Sequence, residues 1–154
     1  KTNVMRRIEQ KKLPYVSHYY GDTDAVSGVD VAAAMGEDPE KVFKTLVCTG
    51  KTGNHYVFVI PVKEELDLKK AAKAVGEKSM EMLKSKDLLP LTGYIHGGCS
   101  PIGMKKKFPT YIDETAQLFD EIAVSGGVRG EQVLLHPEAL GTFTEAVFAD
   151  LVKD

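Results

Sequence analysis

Two runs rich in β-branched and aromatic residues, Val42 to Thr49 and His55 to Val62, follow each other with only Gly50-Lys-Thr-Gly53 as a joint. A connection of four or five residues bearing two glycines is a hairpin signal, so the two runs are expected to lie antiparallel. That argues against a doubly wound parallel sheet, in which a helix separates successive strands. The flanking segments agree. Val4, Met5, Ile8 and Leu13 recur at helical spacing and predict an amphipathic helix over residues 2–12. Tyr15 to Tyr20 reads as a strand. Ser27-Gly-Val-Asp30 has the spacing of a capping box and opens a short helix that stops at Gly36. Asp38-Pro39 starts a further turn.

Beyond the hairpin, Leu66 to Val75 predicts a helix, with Asp67 near its start and Gly76 at its end. A short strand around Ser79 to Met82 and a helical turn around Lys86 to Leu89 follow. Phe108 to Asp113 and Glu121 to Ser125 read as strands, Gln132 to Leu135 as the last strand, and Pro137 to Val152 as a closing helix. The expectation is an α+β fold: a mixed, largely antiparallel twisted sheet, barrel-like at its core, with flanking helices. No repeat, low-complexity tract or linker divides residues 1–154, so one domain is expected.

Composition narrows the class. Twenty Lys and Arg against 22 Asp and Glu give a formal charge of −2, which excludes binding nucleic acid by bulk charge. A nucleic-acid partner would need a small local basic patch. With 43% hydrophobic and 27% charged residues the chain is not wholly disordered. Cys48 and Cys99 are too few and too far apart for a disulfide scaffold or a metal pair, and read as reduced thiols. No apolar run approaches a membrane span, and Lys1 to Gln10 is no signal peptide. A cytoplasmic protein without a membrane contact is expected.

A conventional catalytic centre is missing. His18, His55, His96 and His136 show no metal-ligand spacing, and no nucleophile elbow or phosphate-binding loop occurs. No metal and no cofactor is expected. Four features remain. Strand alternation puts Lys44 on the face of Val42, Leu46 and Cys48, where an ammonium either reaches solvent or holds an anion. Thr45 beside it is an ordinary strand former. Gly97-Gly-Cys-Ser-Pro-Ile-Gly103 is either a bulge and tight turn closed by Pro101 or a backbone receptor for an anion. Ser125-Gly-Gly-Val-Arg-Gly130 is either a hairpin turn or a second such loop, with Arg129 able to pair with phosphate or carboxylate. Lys105 to Lys107 is solvated surface by default, and lies beside the first glycine loop.

Taken in order, V-F-K-T-L-V (42 to 47), E-L-D-L-K-K-A-A-K-A (65 to 74), T-G-Y (92 to 94), G-G-C-S-P-I-G (97 to 103), K-K-K-F-P-T (105 to 110) and S-G-G-V-R-G (125 to 130) closely resemble the YbaK/EbsC family. The likeness spans nearly the whole chain. Members are free-standing aminoacyl-tRNA editing domains, similar to the insertion domain of bacterial prolyl-tRNA synthetases. The resemblance implies an aminoacyl-tRNA deacylase that hydrolyses Cys-tRNA(Pro), with the substrate's own thiol attacking the ester. It implies Lys44 and Gly98 as catalytic residues, Lys44 on the phosphate side of the terminal nucleotide. It implies substrate contacts at Tyr20, Thr45, Gly97, Ser100, Ser125, Gly126, Gly127 and Arg129. It implies the acceptor end of aminoacylated tRNA as the partner, with prolyl-tRNA synthetase a candidate second partner. Ser27 departs from an aromatic expected before Gly28, Gln132 stands where some relatives are acidic, and His96 replaces an aliphatic residue. The alternatives are a deacylase for another small amino acid, such as alanine, and a non-catalytic tRNA-binding accessory of a synthetase.

Overall fold

Helix α1 (Asn3–Gln10) begins where the Thr2 hydroxyl accepts the Met5 N–H at 3.3 Å, and its stripe of Val4, Met5 and Ile8 is buried. The computed structural model describes residues 1–20 and 28–154, so the capping position and the specificity position expected at Ser27 lie outside the described residues. Strand β1 (Val16–Tyr19) and helix α2 (Gly28–Met35) follow, then a 3₁₀ turn (Pro39–Lys41) capped by Asp38.

The expected hairpin forms. Strands β2 (Phe43–Gly50) and β3 (His55–Pro61) pair antiparallel from Phe43↔Pro61 to Thr49↔His55. Helix α3 (Leu68–Val75) starts two residues later than Leu66, because the Asp67 carboxylate caps it by accepting the Lys69 and Lys70 N–H groups. Leu66 instead bridges to Val152. Strand β4 (Met80–Met82) pairs with β2. Helix α4 (Ser85–Thr92) is longer than the single turn expected, since it runs through Pro90. Strands β5 (Thr110–Asp113), β6 (Ile122–Ser125) and β7 (Glu131–Leu135) come next.

The C-terminal helix is a correction. Helix α5 (Pro137–Thr144) stops eight residues short of Val152, with Glu145 left-handed at φ 55° and the Ala146 N–H donated to the Gly141 carbonyl at 2.8 Å. Val147–Ala149 then forms strand β8, so β7 is not the last strand. The reason is a long-range pairing: β8 runs parallel to β5, from Tyr111↔Val147 to Asp113↔Ala149.

The strands make two sheets, ordered β1-β7-β6 and β4-β2-β3-β5-β8. The contacts β1/β7, β6/β7, β2/β3 and β2/β4 are antiparallel, while β3/β5 and β5/β8 are parallel, so the α+β, largely antiparallel reading holds. The sheets are not closed into a barrel. Outside the two ladders, among the described residues, they share one parallel bridge, Val42↔Ala123. Among the described residues no helix is long and apolar enough to cross a membrane.

Alternation divides the core. Phe43, Val47, Val57 and Val59 join Ile112, Val124, Val133, Leu135 and the buried stripe of α1 in the main cluster. The other face of the hairpin gives Cys48, Phe58 and Ile60 to a second cluster with Ala71 and Ala72 of α3. A third gathers Val42, Val62, Ala123, Leu134 and Tyr20 with Val31, Ala32 and Met35 of α2. Each fully buried Phe or Ile in these clusters contributes about 1.5–3 kcal/mol.

Candidate active site

Position on β2 decides what Lys44 meets. Val42 belongs to the third cluster, Cys48 to the second, and Lys44 lies between them on the same face, opposite Ile60 of β3. A lysine at the seam of two apolar clusters is half-buried, and burial lowers its pKa, with Glu65 and then Glu64 pulling it partly back. No carboxylate comes within ion-pair distance of it among the described residues. Thr45, the next residue, points to the opposite face toward the main cluster, where its hydroxyl is buried without a partner among the described residues.

The single bridge between the sheets places the second component. Two residues beyond Val42 and Ala123 on their parallel strands come Lys44 and Ser125, at corresponding positions on one face. The register carries this row onward: Ser125 opposes Gln132 of β7, which opposes His18 of β1. Tyr20, just past β1, is buried in the neighbouring third cluster, its N–H donated to the Gly130 carbonyl at 2.6 Å. Lys44 and Ser125 thus share one row, and Tyr20 packs in the cluster that adjoins it.

The glycine segments form one paired lip. A Cβ built on Gly98 would lie 3.2 Å from the Val128 Cα and 3.3 Å from the Arg129 nitrogen, so the two loops pack backbone against backbone. Gly97 has φ +88°, and a Cβ there would sit 2.7 Å from Arg129 Nε. That same Nε donates to the His96 carbonyl at 3.0 Å, pinning the loops together from an otherwise exposed side chain. Ser125 Oγ accepts the Gly127 N–H at 3.1 Å, while Gly126 closes back on Glu131 through its N–H at 2.9 Å. The Gly98 N–H is donated to the Ile95 carbonyl at 3.0 Å, so this residue acts through its closeness to the opposite loop. Ser100 is fully buried, and its hydroxyl accepts the Ile102 N–H at 3.3 Å inside the turn.

Two groups bear on the chemistry. Burial pushes the Cys99 and Cys48 thiols up to about 12, so both are protonated near neutral pH. Among the described residues no three His, Cys, Asp or Glu side chains are grouped to hold a metal ion. On the flank of the lip, Arg7 of α1 reaches the Gly103 turn and Lys105 lies over Gly93, both exposed and without an ion pair among the described residues. Lys107 pairs with Glu145. The sequence reading did not count Gln132 among the site residues. Its pairing with Ser125 across a predicted hairpin was the signal that could have found it.

Solved structures share this architecture. A candidate trans-editing enzyme for prolyl tRNA synthetase superposes with a TM-score of 0.84 at 27% identity, covering 100% of this chain and 99% of its own. A hypothetical protein superposes at 0.90 with 22% identity, covering 99% of this chain and 100% of its own, which speaks to the fold alone. By architecture the molecule is a YbaK-type α+β editing fold. The aminoacyl-tRNA editing domain family matches residues 23–143, and the chain belongs to that family. It is 51% identical over 152 residues to EbsC of Enterococcus faecalis, named as a candidate Cys-tRNA(Pro)/Cys-tRNA(Cys) deacylase, covering 98% of this chain and 93% of that one. It is also 30% identical over 83 residues to a proline–tRNA ligase of Pelobacter propionicus, covering 54% of this chain and 14% of the ligase.

Proposed function

We propose that this protein deacylates misacylated tRNA in trans, with Cys-tRNA(Pro) as its substrate. The observation that carries the reading is a half-buried lysine without a carboxylate partner among the described residues, on a sheet face that also bears the base of two interlocked glycine loops. No thiol near the lip is ionised to act as a nucleophile. Such a site can hold an anion and orient an ester, and leaves the attack to the substrate. The cysteine sulfur of the substrate attacks its own ester carbonyl. A C–S bond forms, the C–O bond to the terminal ribose breaks, and the thiol proton ends on the ribose oxygen. The products are a thiolactone and free tRNA.

Each residue then has a distinct role. Lys44 takes the phosphate side of the terminal adenosine, and Tyr20 with Ser125 borders the aminoacyl group. Gly97, Gly98, Gly126 and Gly127 let the lip approach the ester, and Arg129 fixes that lip through the His96 carbonyl. Thr45 and Ser100 act from behind, through the core and the turn. Residues 1–154 are one editing domain in this reading, since the β2–β3 hairpin and its immediate flanks, Val42 and Val62, serve all three core clusters. The acceptor end of tRNA is the partner and the cytoplasm its compartment. The likeness to a stretch of a proline–tRNA ligase supports prolyl-tRNA synthetase as a second partner.

Release of free tRNA from Cys-tRNA(Pro), Cys-tRNA(Cys), Ala-tRNA(Pro) and Pro-tRNA(Pro) tests the assignment. Acceleration on the cysteinyl substrates is expected, and no acceleration on any of the four sinks it. S-methylcysteinyl-tRNA should resist, because it has no free thiol. Equal cleavage of that substrate would replace the thiolactone route with attack by water. Tight binding without turnover would make the protein an accessory instead.

A further inference from the structure

Gln132 is 6% exposed, and its side-chain oxygen has no hydrogen-bond donor among the described residues. A buried acceptor left without a donor is costly, and an apolar residue in its place would avoid the cost. The neighbours do not supply the missing donor. Ser125 and His18 flank Gln132 on the two adjacent strands, yet neither reaches its oxygen. Two residues further along β7, Leu134 lies in the apolar cluster beneath α2. Gln132 therefore stands where that cluster ends and the row of Lys44 and Ser125 begins.

We propose that the Gln132 side-chain oxygen accepts a hydrogen bond from the α-ammonium of the aminoacyl group, making it a specificity-determining residue for a free amine. The assignment rests on the editing reading above. An aminoacyl ester entering this row carries negative charge at its phosphate end and positive charge at its amine. Lys44 attracts the first and repels the second, so the amine is driven to the far end of the row. Two strand spacings separate Lys44 from Gln132, about 10 Å. There the ammonium meets the one buried acceptor on that face lacking a donor among the described residues. An ammonium leaving water requires an acceptor, whereas a thiol, a weak donor, does not compete for it.

A chemical double cycle tests this. Deacylation is measured as kcat/KM for Cys-tRNA(Pro) and N-acetyl-Cys-tRNA(Pro), with wild type, Gln132→Leu and Gln132→Glu. Wild type should lose about tenfold or more on acetylation, the range for a hydrogen bond to a charged group. Gln132→Leu should lose a similar factor on the free-amine substrate and nothing further on acetylation. Gln132→Glu keeps an acceptor and should retain the preference for the free amine, which covers the case in which the leucine variant fails to fold. Equal wild-type rates on both substrates, or losses that simply multiply in Gln132→Leu, overturn the assignment. If wild type cleaves no cysteinyl-tRNA at all, the editing reading falls first and this one with it.

Discussion

The backbone contact between the two glycine loops makes a quantitative prediction for Gly98→Ala. The added methyl would lie 3.2 Å from the Val128 Cα, 3.3 Å from the Val128 carbonyl carbon and 3.3 Å from the Arg129 nitrogen. None of these atoms can rotate away, so the loops must part by a few tenths of an ångström. Overpacking of this kind costs about 1–3 kcal/mol. For a chain of this length that lowers Tm by about 2–12 °C. The rate should fall further than stability alone explains, because misplacing groups around an ester by about 1 Å costs up to about 100-fold. Gly97→Ala is the contrast. Its methyl meets the Arg129 side chain at 2.7 Å, with a left-handed φ adding about 1–2 kcal/mol. Removing that side chain in Gly97→Ala/Arg129→Ala should relieve the clash and leave the backbone strain. Arg129→Ala should leave the cost of Gly98→Ala unchanged. Thermal unfolding and single-turnover deacylation of the two single glycine variants and both double variants give the answer. Wild-type melting and turnover in Gly98→Ala would refute the interlocked lip, as would rescue of Gly98→Ala by Arg129→Ala.

Three further expectations concern charge. Burial lowers the Lys44 pKa, so affinity for adenosine 5′-monophosphate, standing in for the terminal nucleotide, should fall as pH rises through that lowered value. Lys44→Arg stays charged and should bind to higher pH, while parallel profiles for the two proteins in calorimetry would remove Lys44 from the phosphate site. Binding of tRNA should show a shallow salt dependence, with a slope of about 2–3 for a grip on three or four phosphates. Lys105→Glu with Lys106→Glu should reduce that slope, and a slope several times steeper would contradict a local grip by a chain of net charge −2. Finally, Cys99 and Cys48, pushed up to about 12, should resist iodoacetamide in the native protein and react in denaturant. Rapid native alkylation of Cys99 with loss of activity would make it a nucleophile.

What could be read in advance was local. The β2–β3 hairpin, the Asp67 cap and the stripe of α1 each follow from residues within a turn or two of one another. Lys44 stood out for the same reason, since alternation alone put it on an apolar face. That rule also sends Thr45 to the other side, although the family pattern grouped the two. Strand β8 was hidden because Val147 to Ala149 continues a helical run, and only pairing with β5, far back in the chain, fixes it as a strand. In the sequence Arg129 is either an exposed turn residue or a partner for phosphate or carboxylate, and its bond to the His96 carbonyl, 33 residues away, shows only in the structure. Gln132 becomes informative only when its neighbours on both sides are known to leave its oxygen unbonded.

The clamp at the far end of the hairpin has a bearing on chemistry it never touches. The Glu77 carboxylate accepts from the Thr52 N–H and hydroxyl and from the Tyr56 hydroxyl, fastening the turn between β2 and β3. Six residues of strand, about 20 Å, separate Lys44 from Gly50 at the mouth of that turn. A slip of one residue would swap faces along the whole strand, sending Lys44 into the main cluster and Thr45 onto the face of Ser125. The turn therefore works as a ruler. In the proposed reading, the phase of Lys44 against an ester is settled at the opposite end of the ribbon.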